Sequence, residues 1–228
     1  MTPFSWRRLA SAAAVAVVAL GPPTAGAQAP GDDRPRIETG VGGLFVGPMP
    51  LGSSSADLLQ PDGRPLPLFR AETSLRPGPG IEAHLSRRVG PRWAAEVSGA
   101  WALTAIRTRA SGDVEDVPSA TLTAGLFRFS VQGSALWSIA ATADREVFLR
   151  AGAGWMRELT RSAGLARDGV IGTAGVGVKY WRHRSTPGGR RWGVRLEGRA
   201  VLRARGVALG AETVRVAPAA AADVLFGF

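Results

Sequence analysis

The sequence has 228 residues, with 28 lysines and arginines, 18 aspartates and glutamates, and a formal net charge of +10 at pH 7. It has no cysteine, which excludes a disulfide framework, a thiolate metal site and lipidation of a cysteine. A basic balance often indicates nucleic-acid binding, but the N-terminus predicts export, so we expect no nucleic-acid partner.

Residues 1–27 have the pattern of a secretory signal peptide. Arg7 and Arg8 precede an apolar stretch, 9–20, and a small-residue site ends at Ala27. The alternative, an N-terminal membrane anchor, would need an apolar stretch of roughly 20 residues. We therefore predict cleavage, a linker over 28–35 and one domain over 36–228. The mature chain, 28–228, would have a net charge of +8, because both signal-peptide charges are basic.

Eight segments alternate apolar with polar or small residues, which is the strand period of two. In chain order the predicted strands are 37–47, 80–88, 92–107, 119–129, 146–160, 169–181, 192–203 and 213–228. The last is the clearest, because every side chain on one face, from Val214 to Phe228, is apolar while the other face carries Arg215 and Asp223.

Three details of the connections are predicted less directly. Residues 48–79, rich in Pro, Gly and Ser, are predicted to form a long loop. Residues 133–145 are predicted to form a turn region in which Leu136-Trp137 either extends a strand or forms a short helix, and the fourth strand ends at 129 or further on. In the fourth strand Leu126 marks an outer face, so Arg128 would lie at the interface while Phe127 and Phe129 point inward. A tight turn in which Arg88 faces Arg92 would place Glu96 opposite His84.

The fold class predicted is all-β: an eight-stranded antiparallel transmembrane β-barrel. Past residue 27 no segment is long and apolar enough for a spanning helix, and only a closed barrel otherwise satisfies every backbone group in lipid. Aromatic residues near the strand ends are typical of interfacial girdles: Phe45, Trp93, Trp155, Tyr180, Trp192, Phe226 and Phe228. A soluble lipocalin-type barrel is the alternative fold, and it would need an apolar interior.

Signal peptide, strand alternation, glycine-rich inner faces and the terminal Phe228 together resemble the OmpA/OmpX-type outer-membrane β-barrel domain family. The resemblance covers about residues 36–228 and implies location and architecture more than activity. It implies an outer-membrane protein, exported through the periplasm, whose C-terminal strand is recognised by the barrel-assembly machinery. We expect a monomer, with outer-membrane lipid and lipopolysaccharide as partners.

Charged side chains of both signs fall on the predicted inner faces of most strands. They are Glu38, Glu82, His84, Glu96, Arg150, Glu158, Lys179, Arg195, Glu197, Arg199, Arg203 and Arg215. An eight-stranded barrel is just wide enough for side chains to fill it, and buried charges must pair. This lumenal charge network predicts a salt-bridge plug and hence a structural or surface-interaction role; a narrow anion-leaning pore is the alternative.

His84, Ser86 and Glu96 would supply the parts of a nucleophilic triad. The His-x-Ser spacing resembles that of outer-membrane lipid A deacylases, which are also eight-stranded barrels. Here Arg87 and Arg88 follow the serine, the motif comes early in the chain, and its face is predicted to be lumenal. We therefore expect no enzyme, and with only His84 and His183 as histidines we expect neither a metal site nor a cofactor.

Overall fold

The structure is a computed structural model that describes residues 34–59, 64–111, 118–142, 144–161, 164–182, 191–205 and 214–228. The predicted signal peptide and positions 28–33 of the predicted linker lie outside the described residues. Within them no helix has the length and hydropathy to cross a membrane.

Ten strands account for most of the described chain. They are β1 (Ile37–Val46), β2 (Met49–Leu59), β3 (Pro65–Leu75), β4 (Gly78–Arg88), β5 (Trp93–Ser111), β6 (Ala120–Ala141), β7 (Arg145–Thr160), β8 (Ala166–Arg182), β9 (Arg191–Arg205) and β10 (Arg215–Gly227). All pairings between them are antiparallel.

Eight of these strands close into a ring. β1 pairs with β10 on one side and with β4 on the other, and the pairing of β5 with β6 completes the circle. The remaining two, β2 and β3, form a hairpin that continues β1 and β4 and pairs with the far end of β5. The eight-stranded antiparallel barrel is confirmed, with this hairpin added at one end.

The two ends of the barrel are the terminal end, where the chain termini of the ring lie, and the hairpin end, where β2 and β3 lie. At the terminal end, the backbone N–H of Arg36 donates to the carbonyl of Phe228 at 3.1 Å, so both ends of the ring-forming chain meet. At the hairpin end, β2, β3, β5 and β6 extend beyond the other strands, since β6 pairs with β7 only from Leu126 onward but with β5 as far as Ala120.

Burial follows the strand alternation. From Ala217 to Phe228 every second residue of β10 is buried and every other one is exposed. The buried face points into the barrel and the exposed face is apolar, with Val224 at 44% and Phe226 at 43% exposure. Apolar residues on the outside of a closed barrel are what a lipid environment favours.

The interior has two layers of different chemistry. Charged residues fill the terminal half. The hairpin half holds an apolar layer of Leu44, Val46, Met49, Leu51, Leu75, Leu126, Met156, Ile171 and Val201, with Arg128, Glu158 and Arg203 also buried in this half. The interior is therefore charged at the terminal end and mixed toward the hairpin end, and it is not apolar throughout, as a lipocalin-type barrel would need.

The prediction of a long loop over 48–79 is wrong. Its prolines and glycines do not prevent strand formation, because Pro50 and Gly52 lie within β2 and Pro65 and Pro67 within β3. Strand structure is interrupted at Gly47-Pro48 and Arg76-Pro77. Next to these interruptions the hairpin turns inward: Met49 and Leu51 are 0% exposed and Leu75 is 1% exposed. The hairpin thereby covers the apolar layer.

The fourth predicted strand is also corrected. β6 continues through 133–141, so the predicted turn shrinks to the residues before Arg145. Its faces are the reverse of those predicted: Leu126 and Arg128 are buried inside, whereas Phe129 is 44% exposed. Pairing explains this, because Arg128 lies opposite Glu158 of β7 and its guanidinium needs that carboxylate.

The connection between β4 and β5 leaves the side chains on their predicted faces, but the pairing register of the two strands differs from the predicted one. Arg88 pairs with Ala94, and Glu96 lies opposite Ser86 rather than His84. The shift is two residues, and an even shift leaves each side chain on its own face. Only the cross-strand partners change.

Candidate functional site

The structure brings nearly all of the predicted lumenal charge network into the barrel. Eleven residues are buried: Glu38, Glu82, His84, Glu96, Arg150, Glu158, Lys179, Arg195, Glu197, Arg199 and Arg203. The twelfth, Arg215, is half-buried at the start of β10. Isolated buried charges are costly, so their partners decide what the lumen can do.

A first cluster closes the terminal end. Lys179 Nζ lies 2.6 Å from a carboxylate oxygen of Glu38 and 3.7 Å from one of Glu146. Arg88 reaches the same two carboxylates at 4.0 and 3.5 Å. Ser138 donates a further hydrogen bond to Glu146. Two acids and two bases thus neutralise each other across four strands.

A second cluster fills the middle of the charged half with three acids and three arginines: Glu82, Glu96, Glu197, Arg150, Arg195 and Arg199. Arg150 lies at its centre, within 3.4 Å of all three carboxylates. It also donates to the hydroxyls of Ser134 and Ser98, at 3.1 and 2.9 Å. Charge-assisted bonds of this kind are the strong ones, so we expect this cluster to be rigid.

Beside these two clusters, Phe148 is a fully buried ring among charges. The Arg195 guanidinium carbon lies 4.7 Å and Lys179 Nζ 5.3 Å from its centroid. Cation–π attraction of this type stabilises cations that have lost water. The ring fills space between the first and second clusters.

A third cluster lies toward the hairpin end. Arg128 Nη2 donates to Glu158 at 2.9 Å, and Arg203 bonds the other oxygen of the same carboxylate. Near it a cavity of about 20 Å³, lined by residues that include Gln132, Thr173 and Arg199, has room for about one water molecule. The side chains around this cavity are therefore closely packed.

Sequence reasoning left four inward charges out of the network: Arg88, which is partly buried, and the buried Arg128, Glu146 and Asp223. A signal for two of them was present. Glu146 has the parity of Phe148 and Arg150 on β7, and Asp223 has that of the inner face of β10. Arg128 could not be found this way, because it follows an apolar run that suggested the opposite face.

The predicted triad residues do not form a triad. Ser86 Oγ donates to Glu38 at 3.4 Å, and neither ring nitrogen of His84 has a hydrogen-bond partner within the described part of the chain. Glu96 bonds Arg195 instead. Ser86 and His84 are 1% and 5% exposed, inside the barrel and away from its apolar outer surface.

The predicted aromatic residues lie on the outside of the barrel. Phe45, Trp93, Tyr180, Trp192, Phe226 and Phe228 are each more than 40% exposed, and Trp155 is partly exposed. Trp101, Trp137 and Phe129 join them, although Phe129 was predicted to point inward: Trp93 stacks on Trp137 at 6.2 Å and Trp101 on Phe129 at 6.0 Å. Arg145 and Arg182 lie over Tyr180 and Trp192 at the terminal end, at 5.6 and 5.7 Å.

No family model and no curated protein matches this chain. Among solved structures, it is similar to the outer membrane protein OprG from Pseudomonas aeruginosa, with 12% identity, 86% of this chain and 97% of that chain covered, and a TM-score of 0.47. It is similar to Neisserial surface protein A at 15% identity, 84% and 97% coverage, and a TM-score of 0.44. It is also similar to the β domain of the Bordetella autotransporter BrkA at 12% identity, 84% and 99% coverage, and a TM-score of 0.28. These structural similarities are distant, with sequence identities of 12–15% and TM-scores below 0.5.

Proposed function

We propose that this chain is an integral outer-membrane β-barrel with a structural or surface-interaction role. Two properties of the ring support a membrane location. Its outer surface is apolar around the circumference, with Val41, Ile81, Val131, Leu149, Val176 and Leu196 exposed on different strands. Its charges are turned inward, which is the arrangement that lipid outside a closed barrel favours.

The single observation that supports a structural role over transport is the central cluster. Arg150, which is fully buried, contacts carboxylates from β4, β5 and β9 and so ties distant walls of the ring together. An eight-stranded barrel leaves little room beyond its side chains, and the apolar layer under the hairpin lies between the hairpin and the first and second clusters.

The proposed interaction element is the β2–β3 hairpin, since it projects past the ring and its middle is exposed on both faces. With both termini at one end, this hairpin would lie on the extracellular side. The resemblance to OmpA/OmpX-type barrels implies three further properties. Lipid and lipopolysaccharide would surround the ring, the barrel-assembly machinery would recognise β10, and the chain would be a monomer. The arginine–aromatic pairs at the terminal end fit a lipid headgroup region.

A cysteine-free chain makes the orientation directly testable. We would introduce Ser54→Cys on β2 and, separately, Thr142→Cys at the terminal end, both exposed positions. A membrane-impermeant maleimide added to intact cells should label Ser54→Cys and leave Thr142→Cys unlabelled until the cells are lysed. Equal labelling of both before lysis, or recovery of the folded protein without detergent, would contradict the proposal.

A second candidate function, the narrow anion-leaning pore, is supported only by the third cluster, in which two arginines share Glu158. Conductance in planar bilayers decides between the two. We expect no discrete openings from the purified barrel in chloride or in gluconate. Regular openings with a preference for chloride would favour the pore.

The lipid A deacylase alternative has a separate test. Lipid A would be compared by mass spectrometry with and without expression, and with Ser86→Ala as a matched control. We expect the same acyl pattern in all three samples. Loss of an acyl chain that depends on Ser86 would reinstate the enzyme.

A further inference from the structure

A group of three possible metal ligands lies inside the barrel where the first and last strands of the ring meet. Glu82 and His84 are on β4 and Asp223 is on β10, with β1 between them. One ligand atom from each side chain lies within 4.8 Å of the other two. His84 Nδ1 and Asp223 Oδ2 are 4.0 Å apart.

Two of these side chains lack hydrogen bonds although they are buried. Both ring nitrogens of His84 and both carboxylate oxygens of Asp223 have no hydrogen-bond partner among the residues that the structure describes. His84 is 5% exposed and Asp223 is 2% exposed. Buried polar groups are nearly always satisfied, so two neighbouring side chains without hydrogen bonds, each with one ligand atom in the same group of three, indicate a ligand site between them.

The backbone of β1 is built to admit this group. Gly40 lies opposite His84, and Gly42 lies between Glu82 and Asp223. A Cβ at Gly40 would collide with the imidazole, and one at Gly42 would collide with the Asp223 carboxylate. These two glycines therefore let side chains from β4 and β10 meet across the intervening strand.

Charge in the surroundings favours a cation. The first and second clusters each balance, with two acids against two bases and three against three. Asp223 is an additional carboxylate whose ion-pair contact is with His84. The third cluster, in which two arginines share Glu158, lies far from Asp223 along β9 and β10, so a bound cation would supply positive charge at Asp223 itself.

We propose that Glu82, His84 and Asp223 bind one divalent first-row transition-metal ion, such as Zn²⁺, that clamps the seam between β4, β1 and β10. One imidazole nitrogen and two carboxylate oxygens form a donor set that zinc accepts. Around tetrahedral zinc, ligand atoms lie about 3.4 Å apart, so the side chains would close by about an ångström on binding. Glu82 can ligate while bonded to Arg199, because a carboxylate offers about four lone-pair sites.

The test is metal content and stability of the full barrel. The wild-type protein would be refolded into detergent with Zn²⁺ or with a chelator, desalted and analysed for bound zinc. Heat-modifiable gel mobility would give the unfolding midpoint. We expect about one zinc per chain and a higher midpoint with zinc, because a ligand that binds only the folded state stabilises it.

Three variants separate this site from adventitious binding. His84→Gln and the nearly isosteric Asp223→Asn should lose both the zinc and the shift in midpoint. His183→Gln, which removes the other histidine of the chain, should keep both. Two results would overturn the site: wild type without zinc after refolding, or zinc that survives in folded His84→Gln or Asp223→Asn. In either case the outer-membrane proposal would stand unaffected.

Discussion

Arg195 and Glu96 lie on opposite walls of the barrel, and their side chains meet in its centre. Arg195 is on β9 and Glu96 on β5, four strands apart around the ring in either direction. Arg195 Nη1 donates to Glu96 Oε2 at 2.5 Å, across 99 positions of sequence. Since this pair spans the full width of the lumen, the barrel is braced from within as well as by its wall.

Breaking that brace is expected to be costly. Glu96→Ala leaves Arg195 without one of its two acidic partners and also removes a carboxylate from Arg150. Removing one partner of a buried ion pair typically costs about 3–5 kcal/mol. We expect the free energy of unfolding, measured by urea titration in detergent, to fall by about that amount.

The matched control for this variant is an exposed ion pair. Arg157 and Asp168 lie 3.9 Å apart with side chains 42% and 37% exposed. Exposed pairs contribute about 0–1 kcal/mol, so Asp168→Ala should have little effect. Comparable losses in Glu96→Ala and Asp168→Ala would mean that the central cluster does not brace the barrel.

Inward glycines should be sensitive to added volume. A Cβ at Gly154 of β7 would collide with the backbone of Val131 and Gln132 on β6, whereas one at Gly133, on the outer face, would meet no atom within 4 Å. Overpacking typically costs about 1–3 kcal/mol. We expect Gly154→Ala to lower the unfolding free energy by about that amount and Gly133→Ala to leave it unchanged or raise it.

The result that would contradict this reasoning is equal stability of the two glycine variants. Each is a single Gly→Ala change in a wall strand, so differences in backbone entropy largely cancel. The comparison therefore isolates the space available at each side chain.

Alternation predicted those strands whose two faces differ in chemistry along their whole length. β9 is a clear case, because Arg195, Glu197 and Arg199 alternate with apolar or small residues, and only one orientation places the apolar side in lipid. β6 could not be predicted in the same way. Both of its faces carry large apolar residues near Leu126, since one face meets lipid and the other meets the apolar layer of the interior.

The candidate metal site was hidden from the sequence for a different reason. Glu82 and His84 are neighbours on one strand, but Asp223 is far away in the chain and meets them only because β1 closes against both β4 and β10. Spacing within a segment carries no information about such a group. The local indication of the site was the pair Gly40 and Gly42. From the alternation pattern alone, these two glycines are assigned simply to an inner face of small residues.

The β2–β3 hairpin should be dispensable for folding of the ring. We would delete 53–72, which begins and ends at the paired residues Ser53 and Glu72, and join the ends with a short Asn-Gly turn. Met49, Leu51 and Leu75, which cover the apolar layer, would remain. We expect a heat-modifiable barrel in the outer-membrane fraction, with loss only of whatever the hairpin binds.

A barrel that fails to assemble after this deletion would show that the hairpin supports the fold instead of being displayed by it. Replacement of 53–72 by a flexible linker of equal length is the matched control. It separates the effect of chain length from that of the hairpin's own residues.

The lipid contact of the outer surface can be tested with one charge at two depths. Val176 is 50% exposed in the middle of β8, and Leu122 is 75% exposed on the part of β6 that extends beyond β7. An arginine near the middle of a bilayer costs about 2–4 kcal/mol in a barrel, and about 0–1 near an interface. We therefore expect Val176→Arg to destabilise the barrel in lipid vesicles strongly and Leu122→Arg to be nearly neutral. Both replace an exposed apolar residue by arginine, so a soluble barrel would tolerate the two changes about equally, and that outcome would rule out hydrocarbon around the ring.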